Sequence, residues 1–212
     1  MPEKTNQTNP AENVISQEYK GKILLRIARA EISDALGKQA ESTDENQPWL
    51  HDPGASFVTL TINQHLRGCI GSLEAHRPLL IDVKANAYAA AFRDPRFSPL
   101  TIAELDTTEI EISLLSPQHP LFFKDEADAL AQLKPNIDGV VFKYGRYRST
   151  FLPQVWGQLT DAKTFMAHLK HKAGLDPRFW NDDIELYRYT ATKFKEKDLH
   201  EALSRNTESI AS

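Results

Sequence analysis

Residues 57–62 (FVTLTI) form a β-branched and aromatic run, residues 63–64 (NQ) interrupt it, and residues 65–71 (HLRGCIG) resume it. Two such runs joined by two residues read as an antiparallel hairpin, although Asn-Gln is a weaker turn pair than Asn-Gly. The second arm constrains the fold most, because Gly68 and Gly71 bracket Cys69, the only cysteine in the chain, two positions after Arg67. Glycine inside a strand is unfavourable and marks a bulge or a place where a ligand or another backbone comes close. The hexapeptide at 66–71 therefore reads as a site.

Around the hairpin, helical and extended patterns alternate without a regular repeat. Ile23, Ile27, Ala30 and Ala35 line one side of a helix that starts at Glu18 and stops at Gly37. Residues 38–54 read as a polar, proline-containing loop that Trp49 and Leu50 can pin down. Pro78 opens a second helix with Leu80, Val83 and Ala87 on its apolar face, and Pro95 ends it near Arg93. Residues 93–100 form a basic, aromatic loop with two prolines, and Ile110, Ile112 and Leu114 alternate with polar residues as a half-buried strand does. Further on come a short helix at 126–133, a strand at 140–144, a helix capped by Asp161 and closed by Gly174, and a last strand at 184–192. The tail from Lys193 is charged and shows no clear period. This order predicts an α+β fold, with a mixed, largely antiparallel sheet flanked by helices and a smaller second subdomain. Residues 1–17 read as a flexible leader, 18–195 as the folded domain of two subdomains, and 196–212 as a charged tail.

Composition narrows the function classes. A formal net charge of -4 argues against a general nucleic-acid binder. A single cysteine excludes an internal disulfide and fits a reducing compartment. No apolar run approaches the ~18 residues of a membrane span, and no signal peptide is read at the N-terminus. The expectation is a cytoplasmic protein with no membrane partner.

In a regular strand Leu66, Gly68 and Ile70 share one face, and Arg67 and Cys69 share the other. Leucine and isoleucine claim the core side, which leaves the thiol beside the guanidinium; a bulge at Gly68 would break this parity. Cys69 then has three readings. A nearby cation lowers a thiol pKa, so Cys69 can serve as a nucleophile, with His65, His76 or His51 as the base. It can be a metal ligand, which no second cysteine supports; the one notable histidine pair, His168 and His171, falls in a lysine-rich stretch that reads as a solvated helix face. It can also be a small buried apolar side chain, as most free cysteines are. Arg67, Arg93 and Arg96 suit a carboxylate or phosphate if they converge, and otherwise pair with Asp94, Glu74 or Asp52. Residues 151–156 read as core and turn, with Gln154 as a polar group on a stiff segment that can orient a ligand.

LRGCIG (66–71), DPRF (94–97), EISLLS (111–116), FLPQVW (151–156) and KAGL (172–175) occur in this order. With these motifs the chain resembles the AmmeMemoRadiSam system protein A family, the AMMECR domain, over residues 18–195. The resemblance implies an α+β fold of two subdomains, with the LRGCIG segment near the cleft between them. It also implies company, since such proteins are commonly encoded near a radical-SAM protein and a Memo-like protein. It brings neither an activity nor a cofactor. It carries over positions, namely Arg67, Gly68, Cys69, Gly71, Asp94, Arg96, Phe97, Pro153, Gln154 and Trp156.

The leading expectation is a small anionic ligand in that cleft, held by Arg67, Gly68, Gly71, Arg96 and Gln154, with Cys69 as nucleophile or polar anchor. The protein then works with radical-SAM and Memo-like partners. The rival is a non-catalytic adaptor that uses the hairpin and the proline loops as a protein-binding surface.

Overall fold

The computed structural model describes residues 10–198 other than residue 42. The chain divides into two compact units, one comprising the chain up to Leu114 and again from Lys193, the other Leu115–Thr192. The fold is α+β, as expected, with its strands shared between two four-stranded sheets.

The first unit begins with α1 (Pro10–Ala35), followed by β1 (Ser56–Ile62), β2 (His65–Gly71), α2 (Leu79–Phe92), α3 (Ile102–Leu105) and β3 (Thr108–Leu115). α1 starts eight residues before Glu18, the start read from the apolar period, and a proline suits a first helical turn. Of the expected leader, residues 1–9 lie outside the described residues. Gly37, at φ +74°, supplies the left-handed residue that closes the helix. The loop behind it is pinned as expected, by a 3-10 turn at Pro48–Leu50 that buries Leu50 completely. β1 and β2 form the predicted hairpin, and Asn63 and Gln64 take φ of 51° and 66°, as a two-residue turn matched to strand twist requires.

In the second unit β4 (His119–Leu121), α4 (Glu126–Gln132), β5 (Gly139–Tyr144), β6 (Tyr147–Phe151), α5 (Ala162–Lys172) and β7 (Glu185–Tyr189) follow, and β8 (Ala191–Lys195) completes the first sheet. The strand expected over 184–192 is two strands that belong to different sheets. Phe194 packs on the first core, whereas Lys193 and Lys195 reach Glu111 at 3.2 and 3.4 Å. Its charged alternate positions hid this strand in the sequence.

The sheets run β2-β1-β3-β8 and β4-β7-β5-β6, with β1 antiparallel to both its neighbours and β7 and β5 likewise. Val58, Leu60, Ile110 and Ile112 project from the first sheet into a cluster with Leu24 and Ile27 of α1 and Val83 and Ala87 of α2. Each valine, leucine or isoleucine among them contributes about 1.5–3 kcal/mol when fully buried. The second core is built on Phe142, Trp156, Phe165 and Met166. Trp156 stacks on Phe165 at 3.8 Å between centroids and donates its indole N–H to Asp138 O at 2.7 Å. The FLPQVW motif therefore includes a core anchor.

Candidate functional site at the β2 edge

Pairing along the hairpin sets the geometry. Ile70 faces Val58, Cys69 faces Thr59 and Gly68 faces Leu60, but Leu66 then faces Thr61, so Arg67 is the extra residue of a β-bulge. Directly opposed residues share a face. Ile70 and Gly68 therefore lie on the core side, as predicted. Leu66 does not: the bulge moves it to the face of Thr61, where it is 43% exposed. The parity break allowed for at Gly68 falls one residue earlier.

Both glycines answer to close packing. A Cβ on Gly68 would sit 2.1 Å from the carbonyl oxygen of Ala90, in α2, and one on Gly71 would sit 2.2 Å from the Phe57 ring. At Gly68 the close approach is thus another backbone. The Cys69 thiol is half-buried and accepts a hydrogen bond from the Thr59 hydroxyl at 3.3 Å.

Among the described residues β2 is an edge strand, so no second strand there satisfies the outward peptide groups of Cys69. The loop after α2 takes that place. The Cys69 N–H donates to Asp94 Oδ2 at 2.8 Å, and Arg96 Nη2 donates to Cys69 O at 3.3 Å. Asp94 is 4% exposed and also accepts from Arg96 Nε, at 2.9 Å, and Nη2, at 2.7 Å. The Arg96 hydrogen bonds, with those from the Cys69 and Arg96 amides, hold the Asp94 carboxyl well below the usual carboxylate range against the opposing effect of burial. This clamp explains why the DPRF loop and the LRGCIG strand form one structure.

Arg67 is also paired. Its Nε and Nη2 donate to Glu104 Oε1 and Oε2 at 2.9 and 3.2 Å. Glu104, in α3, accepts from the Thr101 N–H as well, and these bonds, Arg67 first, lower its carboxyl to about 2. Arg67 and Arg96 place their guanidinium carbons 5.9 and 5.5 Å from the centre of the Phe97 ring. Arg67 Nη1 is buried and has no hydrogen-bond partner among the described residues. Arg93 turns to Tyr88 instead, at 5.0 Å.

The expected bases stand elsewhere. His65 is exposed, its Nδ1 bound to Asn63 O at 2.9 Å, and four strand positions separate it from Cys69, roughly 13 Å in extended chain. His76 is exposed and bound to Glu74 O, and His51 is exposed. His168, His171 and Lys172 form the solvated face predicted for α5, but Lys170 does not: it is 2% exposed, with Nζ on Glu126 Oε1 and Phe179 O. Among the described residues no group of three histidines, cysteines or carboxylates is arranged to hold a metal ion. In the second unit Gln154 is exposed, while Pro153 and Trp156 are buried.

Sequence reasoning missed Thr59 and Glu104, whose partners are set by strand register and by a four-residue helix. It also missed Asp82, which is fully buried and accepts from the Ser56 N–H and hydroxyl, the Ser72 hydroxyl, Arg77 Nε and Asn86 Nδ2. This network ties the end of β2 to the first turn of α2. The aspartate and asparagine four apart on one helix were its only sequence signal.

Comparison with known proteins agrees with this architecture. A model of the AMMECR1 family matches residues 25–194, and the chain belongs to that family. It is similar to a protein of Methanocaldococcus jannaschii, 34% identical over 184 residues that cover 83% of this chain and 90% of the relative. A protein of Methanothermobacter thermautotrophicus is 36% identical over 182 residues, covering 83% and 94%. Among solved structures, the crystal structure of an uncharacterized protein from Pyrococcus horikoshii superposes with a TM-score of 0.73 at 32% identity, covering 84% of this chain and 92% of that one. No helix among the described residues is long and apolar enough to cross a membrane.

Proposed function

We propose that this AMMECR1-family protein binds a small anionic molecule at the Arg67–Arg96–Phe97 cluster, with Cys69 as a polar anchor beside it, and acts with radical-SAM and Memo-like proteins. The partners rest on the family resemblance. The binding reading rests on one observation, the buried Arg67 Nη1 that has no hydrogen-bond partner among the described residues. A buried unpaired donor costs about 1–3 kcal/mol, which an anionic oxygen would recover. Arg96 supports the same reading: its hydrogen bonds use Nε and Nη2, and its side chain is 52% exposed. The thiol takes a hydroxyl donor from Thr59, an arrangement that suits an anchor better than a nucleophile lacking an adjacent base.

Titration of the full chain with inorganic phosphate and with succinate, followed at the arginine Nε–Hε resonances, tests this. Saturable shifts of Arg67 and Arg96 that vanish in Arg96→Ala are expected. Unchanged resonances for both arginines with both probes would remove the reading.

A further inference from the structure

Glu104 already occupies Arg67 in the way a ligand would. Its two oxygens meet Nε and Nη2 at 2.9 and 3.2 Å, the bidentate arrangement in which a guanidinium takes a planar carboxylate. The two partners are unequally covered. The Glu104 side chain is 32% exposed and the Arg67 side chain 12%, so the carboxylate forms the accessible half of the pair. Glu104 is also held independently, since Oε2 accepts the N–H and the hydroxyl of Thr101, both at 2.9 Å. Letting go of Arg67 would therefore leave it partnered rather than stranded. α3, which carries it, is a single turn of four residues.

Resting on the reading above, we propose that Glu104 is a resident carboxylate that closes the Arg67 site and that the ligand is a small-molecule carboxylate which displaces it. The exchange sets a ligand carboxylate on the guanidinium in place of Glu104, where it would also take the Nη1 donor that Glu104 leaves unpartnered. A phosphate dianion would instead place both its charges at the fork beside the displaced Glu104, whereas succinate carries its second charge on the far carboxylate, so the site favours the carboxylate class. Glu104 stays ionised far below neutral pH, so displacement rather than protonation opens the site.

Glu104→Gln removes the charge and retains an oxygen for Thr101, since Gln serves as well as Glu in a capping box. In the full chain, E104Q should bind succinate about fivefold more tightly than the wild type, read at the Arg67 Nε–Hε resonance, with a smaller gain for inorganic phosphate. Arg67→Ala in the E104Q background, read at the Arg96 Nε–Hε resonance, should abolish the gain. Glu104→Asp, which shortens the carboxylate by one methylene, should move affinity in the same direction and covers the case in which E104Q folds poorly. Succinate binding by E104Q and E104D no tighter than by the wild type overturns the displacement, and an equal gain for phosphate overturns the carboxylate class. Wild-type binding without a gain in the variants sinks this inference alone. Silence of both arginines in every protein removes the site itself.

Discussion

At the scale of single residues, Asp94 determines how the β2 edge is finished. Its carboxylate takes the Cys69 amide and two guanidinium nitrogens of Arg96 inside a nearly closed environment. Asp94→Asn should lower unfolding stability in urea by about 2–3 kcal/mol, because hydrogen bonds to a charged group are lost and Arg96 keeps an uncompensated charge. A change within the error of the urea midpoint would show that the clamp is dispensable. Glu104 sets a pH dependence. Its carboxyl is held at about 2 against an ordinary 4.5, so the stability it contributes is complete above about 4.5 and is lost as pH falls toward 2. Over that window the urea midpoint of the wild type should fall further than that of E104Q, and equal falls would contradict the assignment. The residue types Asp94, Arg96 and Cys69 were legible in the sequence. The pairing of an arginine with Asp94 stood among the alternatives read there, and Arg96 forms it; the Asp94 bond to the Cys69 amide was not legible, because it links a loop to a strand edge 25 residues away.

Element by element, the sequence was most readable where local chemistry decides the structure. The hairpin, the helix behind Pro78 and the Asp161 cap, which accepts from Thr164 N, follow from neighbouring residues alone. It was least readable where register or sheet membership decides. The Arg67 bulge depends on how β2 aligns with β1, and only that alignment shows Leu66 leaving the core face. β8 hid behind Lys193 and Lys195, since alternation of a phenylalanine with lysines resembles a charged tail until Glu111 is placed opposite them. The two glycines give a graded prediction. Gly68→Ala meets the α2 backbone, which cannot yield locally, and should cost about 3 kcal/mol or more. Gly71→Ala meets the Phe57 ring, which can rotate, and should cost about 1–2 kcal/mol. Thermal or urea unfolding of the two variants checks the order, and a larger loss at Gly71 would show that the Gly68–Ala90 approach is not the tight one.

For the whole molecule, each unit owns a sheet and an apolar cluster, and the five motifs are shared between the units. Motif order was enough to recognise the family, which the match over residues 25–194 shows. It could not reveal that Arg67 arrives with a carboxylate already in place, since Glu104 lies outside every motif. On the reading proposed above, Arg67 exchanges this resident carboxylate for that of a ligand. A crystal structure of the full chain soaked in succinate tests this most directly. Density for a succinate carboxylate about 3 Å from an Arg67 guanidinium nitrogen, with Glu104 moved off Arg67, is the predicted result. A fully occupied Arg67–Glu104 pair at saturating succinate, with no ligand density beside Phe97, would contradict it.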